Sequence, residues 1–196
     1  MSAPALSARD RARQLIEAAA RGRAAPLVVA IDGRSGVGKS TLAEWLSRQL
    51  PATVIAGDDF YAGGTDVLGD APEARAARCI DWQTQRRVLS ALRHGQPASY
   101  HAFDWDAFDG TLQAEPTRIA PAAIILLEGV YAARPELRDL LDLRILVRVS
   151  DALRLSRLLD REGEIGPWER QWHEAEEWYF VDAAPATAFD LVLDLD

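Results

Sequence analysis

Two hydrophobic rhythms alternate along the chain. Short continuous apolar runs, "PLVVAID" (26–32), "ATVIAGD" (52–58), "AAIILLEG" (122–129), "LRILVRVS" (143–150) and "FDLVLDL" (189–195), read as buried strands. Between them, apolar residues return every three or four positions. That spacing predicts helices over 39–50, stopped by Pro51, and over 81–95, where Val88, Leu89 and Leu92 share a face and Gly95 ends the run. Further helices are predicted over 134–141, 151–162 and 167–183. Residues 1–24 alternate charge with Leu6, Leu15, Ile16 and alanines, and predict an amphipathic N-terminal helix rather than a targeting peptide. Residues 59–80 read as loop-rich, and 96–121 as irregular and aromatic with room for a short hairpin.

Strands that alternate with helices predict a three-layer α/β fold around a mostly parallel five-stranded sheet, formed by one domain over 1–196. Ligands of such sheets bind at the C-terminal ends of the strands. No apolar run approaches the ~18 residues of a membrane span. The formal charge of −8 argues against nucleic acid, whose binders carry basic patches. A single cysteine, Cys79, permits no internal disulfide and points to the cytoplasm. A homo-oligomer is left open.

The stretch that follows the first strand carries chemistry. Gly33-Arg34-Ser35-Gly36-Val37-Gly38-Lys39-Ser40 fits G-x-x-x-x-G-K-[ST], lying after a strand and opening a helix. The pattern predicts the phosphate-binding loop of a P-loop NTPase fold, with a glycine-rich turn capping a helix as the alternative. Its glycines let successive N–H groups turn inward around phosphate oxygens, and the helix adds its positive end. Gly33, Ser35, Gly36, Val37, Gly38, Lys39, Ser40 and Thr41 are the expected ATP-binding residues, with Lys39 on the outer phosphates and the Ser40 hydroxyl on Mg²⁺. Lys39 is the only lysine in a chain whose Lys and Arg together number 22. A compact ammonium fits inside a ring of amides where a broad guanidinium does not.

Other polar residues fall where they would converge on that loop. Asp58, after the second strand, is a candidate base that takes a hydroxyl proton, or a cap or support for Mg²⁺. Glu128 ends the most apolar run and is a candidate Mg²⁺ ligand, with a capping role as the alternative. Arg154, Arg157 and Arg161 share one helix face, as lid arginines over the phosphates or as a solvated stripe; Arg157 and Arg161 are the catalytic candidates. Asp81 is either a helix N-cap or a binder of acceptor hydroxyls. Residues 96–115 combine Tyr100, Phe103, Trp105 and Phe108 with three aspartates and no arginine, a lining suited to a neutral, ring-bearing, hydroxylated acceptor. Tyr61, Tyr100 and Trp105 are the aromatic candidates for holding it. Trp168, Trp172 and Trp178 read as core or lid packing, and the three histidines and one cysteine form no metal-ligand cluster.

The motifs "GRSGVGKST", "LPATVIAGDDFY", "IDW", "IILLEGVYA" and "RLSRLLDRE" resemble the uridine kinase family and its close relative, nicotinamide riboside kinase, from about Leu27 to Leu195. The resemblance implies that Asp58 is the catalytic base and that Asp81 binds ribose hydroxyls. It also implies that Glu128 serves Mg²⁺ or acid chemistry, and that Arg157 and Arg161 are lid arginines. Glu162 stands where the family commonly has Asp. The family's longer F-D-H-P-D-A-F-D segment is reduced here to "IDWQTQ", and only Tyr100 is a candidate for reading a pyrimidine. The expected activity is phosphoryl transfer from Mg·ATP to the hydroxyl of a nucleoside or similar riboside, with 59–121 as acceptor-binding insertion and 151–183 as lid and following helix. The alternatives are a nucleoside monophosphate kinase or other small-metabolite kinase, and a non-catalytic nucleotide sensor.

Overall fold

The computed structural model describes residues 6–195. Its centre is a five-stranded sheet of β1 (Leu27–Asp32), β2 (Ala52–Ala56), β5 (Ile124–Glu128), β6 (Leu143–Arg148) and β7 (Leu191–Asp194). Their order in the sheet is β2-β5-β1-β6-β7, and each neighbouring pair is parallel. A separate antiparallel hairpin pairs β3 (Ala98–Tyr100) with β4 (Thr117–Ile119).

Both faces of the sheet are covered, which is why its central strands are continuously apolar. Leu27, Val29 and Ile31 of β1 point to one side, where they meet Ile16 of α1 (Ala8–Ala20) and Leu42 and Leu46 of α2 (Lys39–Gln49). Val28 and Ala30 point to the other side, toward Val88, Leu89 and Leu92 of α4 (Trp82–Arg93) and Ala175 of α6 (Pro167–Trp178). The three expected layers follow from this alternation. The N-terminal helix expected over 1–24 is observed as α1, with Ser7 capping it by accepting from Asp10 N; residues 1–5 lie outside the described residues. Among the described residues no helix is long and apolar enough to cross a membrane.

Three elements differ from the sequence reading. The strand expected over 52–58 ends at Ala56, and Gly57–Phe60 turn as a 3-10 segment. Within the insertion, Pro72–Arg78 form a helix, α3, where the sequence pattern predicts loop; Pro at its first turn and helix-forming Ala, Glu and Arg are its local causes. The helix expected over 134–141 is reduced to a 3-10 turn at Pro135–Leu137. The helix expected over 151–162 is observed as α5, Asp151–Glu162.

The strand ends are tied together by one fully buried acid at the tip of β1. Asp32 accepts from Gly33 N at 2.8 Å, Tyr131 N at 3.1 Å, Ala133 N at 2.8 Å and the Tyr179 hydroxyl at 2.8 Å. Asp32→Ala strands all four donors without water. We expect it to lower unfolding free energy by about 3 kcal/mol or more in urea titration, where an exposed Asp→Ala changes little.

Candidate active site

At the C-terminal edge of the sheet, the loop between β1 and α2 turns through left-handed glycines, with φ +84° at Gly36 and +93° at Gly38. A Cβ on Gly33 would lie 2.4 Å from the Val147 carbonyl oxygen, so only glycine lets β1 and β6 leave the sheet so close together. Gly38 caps α2 without a side chain, leaving the helix N–H groups directed to the loop. Lys39 is largely buried, and its Nζ donates to the Arg34 carbonyl at 3.1 Å. A cavity of about 260 Å³ lies over the loop, bordered by Gly36, Gly38, Lys39, Ser40 and Thr41. Bare backbone, one ammonium and a positive helix end suit a polyphosphate. Val37 packs into the core beneath the loop, and its other face borders a second cavity of about 230 Å³.

The acids face the same hollow. A Cβ on Gly57 would meet Glu128 O at 2.8 Å, so the ends of β2 and β5 touch through bare backbone. That contact sets Asp58 beside Glu128. Glu128 is pushed up to about 7, chiefly by burial and then by the Asp58 charge, with Lys39 and the Ser40 hydroxyl opposing. Asp58 opens on the cleft but is ringed by protein, and this desolvation raises its pKa against the pull of Lys39. Ser40, Asp58 and Glu128 border both this cavity and its larger neighbour. Among the described residues no group of three or more His, Cys, Asp or Glu is placed to hold a metal alone. A Mg²⁺ on Ser40, Glu128 or Asp58 would therefore complete its shell with phosphate oxygens and water, as that ion prefers.

The three arginines of α5 divide. Arg157 Nη1 donates to Gly36 O at 3.3 Å, and both Arg157 and Arg161 border the loop cavity. Arg161 is paired with Glu162, with Nε at 3.1 Å from Oε1. Arg154 instead turns inward toward Glu176 at 3.8 Å.

Beyond Asp58 the hollow widens into a cleft of about 600 Å³ walled by Tyr61, Trp105, Phe108, Trp168 and Trp172. Trp168 and Trp172 stack at 6.0 Å and 8°, and Tyr61 packs against Trp105 at 5.1 Å. Trp105 Nε1 donates to the Asp58 carbonyl at 3.3 Å. Trp168 and Trp172, read from the sequence as packing, thus line the cleft. Tyr100 goes the other way. It is buried against Phe60 at 4.3 Å, and its hydroxyl donates to Asp59 at 2.7 Å, so it supports the floor without bordering the cleft. Asp81 caps α4 by accepting from Thr84 N at 3.0 Å and does not border the cleft either.

Two residues that sequence reasoning passed over are central. Asp32 ends a buried strand, the same cue that singled out Glu128. Glu176 is fully buried and accepts from Ser35 N at 2.9 Å and from Trp172 Nε1 at 2.7 Å. Its signal was weak, since "WHEAEEWY" holds three glutamates and only the four-residue spacing from Trp172 favours Glu176.

The chain resembles known proteins in sequence and in fold. Residues 66–164 match the model of the "Phosphoribulokinase / Uridine kinase family". "Inorganic pyrophosphatase TTM1" of Arabidopsis thaliana is 31% identical over 124 residues, 62% of this chain and 18% of that protein. "Uridine kinase-like protein 3" of the same plant is 27% identical over 167 residues, 79% of this chain and 34% of that protein. The chain thus spans only 18% and 34% of these two relatives. The solved "Structure of a Possible Uridine Kinase from Bacillus stearothermophilus" superposes with a TM-score of 0.71 at 22% identity, over 95% of this chain and 97% of that one, a likeness of fold.

The raised acids make stability depend on pH in a fixed direction. Glu128 is lifted from 4.5 to about 7 and Asp32 from 3.8 to about 6, so between those values the folded protein holds more protons than the unfolded chain. Stability of the ligand-free protein should therefore fall as pH rises from about 4.5 to about 7, by up to about 3 kcal/mol for Glu128. Urea unfolding at several pH values should show this slope, and Glu128→Gln should flatten its upper part.

Proposed function

The chain belongs to the phosphoribulokinase / uridine kinase family, and on that footing we propose that it is an ATP- and Mg²⁺-dependent kinase. Its acceptor is the hydroxyl of a small molecule, a nucleoside or similar riboside. The observation that carries this is the position of Asp58. It borders the loop cavity that holds Lys39 and also floors the aromatic cleft. A hydroxyl lying on Asp58 therefore faces the end of a polyphosphate lying on the loop.

In this reading the Asp58 carboxylate accepts the hydroxyl proton, and its raised pKa brings it toward the working pH of a base. Lys39 and the loop N–H groups hold the phosphates, while Arg157 and Arg161 offset charge on the transferring group. Mg²⁺, when bound through Ser40, Glu128 or Asp58, neutralises the phosphate oxygens. Tyr61, Trp105, Trp168 and Trp172 hold a flat ring and keep water from the acceptor. The nucleobase is assigned to the second cavity, where Val37, Val147, Val149 and Phe180 supply apolar walls and Arg34 and Arg154 the rim. ATP use and a single buried thiol, Cys79, suit the cytoplasm.

An unphosphorylated acceptor is favoured over a nucleoside monophosphate. No arginine of the insertion borders the cleft, and three are engaged elsewhere: Arg75 with Asp70 at 3.0 Å, Arg78 with Asp70 at 2.8 Å, and Arg86 with Asp139 at 2.6 Å. Asp58→Asn should cut ADP release by about 10²–10⁴-fold at saturating acceptor. ATP affinity, measured by calorimetry, should change little. A panel of nucleosides, nicotinamide riboside, pantothenate and sugars supplies the acceptor. Unchanged turnover in the variant would contradict the base assignment, and absence of turnover with the whole panel would favour a nucleotide sensor.

A further inference from the structure

Glu176 lies in α6, 141 residues from the phosphate loop in sequence, yet it is fully buried against that loop. A single oxygen, Oε1, accepts from Ser35 N at 2.9 Å, Ser35 Oγ at 2.5 Å and Trp172 Nε1 at 2.7 Å. The other oxygen, Oε2, meets no hydrogen-bond donor among the described residues and has only Arg34 Nε and Arg154 Nη1 at 3.8 Å. A buried carboxylate satisfied on one side alone is a poor device for stability. Its partner on the satisfied side points to a different role.

Ser35 N is the N–H end of the peptide group that joins Arg34 to Ser35. The carbonyl end of that same group, Arg34 O, accepts from Lys39 Nζ at 3.1 Å. Glu176 and Lys39 therefore grip opposite ends of one planar unit. Because the peptide cannot twist, fixing its N–H fixes the direction of its carbonyl. A negative charge on the N–H also polarises the carbonyl it is conjugated to, strengthening its hold on the ammonium.

We propose that Glu176 is a positioning residue for nucleotide binding, which sets the place of the Lys39 ammonium through the Arg34–Ser35 peptide. The proposal rests on the loop being a nucleotide site, as in the function proposed above, and does not depend on the acceptor. Two features follow. Loss of Glu176 should matter most for ligands whose outer phosphate needs Lys39, and it should matter only while Lys39 is present.

Calorimetric binding of Mg·ATP and Mg·ADP to the wild type, Glu176→Ala, Glu176→Gln, Lys39→Ala and the Lys39→Ala/Glu176→Ala double variant tests this. Glu176→Ala should weaken Mg·ATP binding about tenfold or more, with a smaller effect on Mg·ADP. Glu176→Gln, whose amide oxygen still accepts from Ser35 N, should recover part of the loss, and it carries the comparison with Lys39→Ala if Glu176→Ala does not fold. In the Lys39→Ala background, Glu176→Ala should add less than about twofold, since the two act through one contact. Full additivity with Lys39→Ala, or equal affinities in the wild type and Glu176→Gln together with equal losses for ATP and ADP in Glu176→Ala, would overturn the assignment. Failure of the wild type to bind either nucleotide would instead remove the nucleotide reading itself, and this inference with it.

Discussion

The carboxylate of Asp32 is held by four hydrogen-bond donors and, among the described residues, by no salt bridge, and the active edge of the sheet depends on it. One oxygen takes the first amide of the phosphate loop and the amide of Tyr131, and the other takes the Ala133 amide and the Tyr179 hydroxyl. These donors come from the loop after β1, the turn after β5 and the end of α6. A buried acid that lacks a cation must be solvated by the chain itself, so these segments have little freedom to part. Tyr131 shows the constraint locally. It sits at φ +68°, a conformation that disfavours a bulky side chain by about 1–2 kcal/mol, and Asp32 holds its amide there.

Around this knot the site is organised by where acids are placed without enough counter-charge. Asp58 and Glu128 lie side by side, both raised chiefly by burial and Glu128 further by the Asp58 charge, with Lys39 as the cation that both feel. That surplus of negative charge is a reason for a divalent ion to enter with a polyphosphate, because the protein alone leaves the pair unbalanced. Farther out the cleft gains rings beside the acids Glu162 and Glu169. The change follows the reaction proposed for it, from a phosphate end that needs fixed charges to an acceptor end that needs a shaped, dry wall.

The strands, their parallel arrangement and the phosphate loop were legible because each rests on local chemistry: continuous apolar runs, and glycines at a fixed spacing before Lys39. Glu128 was legible because an acid at the tip of a buried strand stands out, and Asp58 because it follows the second strand toward the phosphate loop. The insertion was not. α3 was hidden by its shortness, and what holds it is Arg75, whose guanidinium reaches the Gln171 carbonyl at 2.7 Å on a helix 96 residues away. Trp168 and Trp172 could not be separated from core aromatics, since helical spacing gives a face but not what lies opposite. Tyr100 and Asp81 carry plausible side chains at plausible positions, and only three-dimensional placement turns one to the floor and the other to a helix cap.

The question of why lysine survives at position 39 alone is answered by its neighbours. Arg34 Nε and Arg154 Nε and Nη1 are buried beside the loop and find no hydrogen-bond partner among the described residues. A guanidinium brings five donors in a rigid fork, and the packed ground around the loop lacks acceptors for all of them. At the loop's rim this is tolerable, because those arginines border the cavity assigned to the nucleobase and can be satisfied by a ligand. Inside the loop the Lys39 ammonium donates to one carbonyl, that of Arg34. An ammonium meets it with one donor and leaves the other two for phosphate. A guanidinium there would spend the same space on donors with nowhere to go, so the drift to arginine seen everywhere else in the chain stops where the backbone closes around a single point charge.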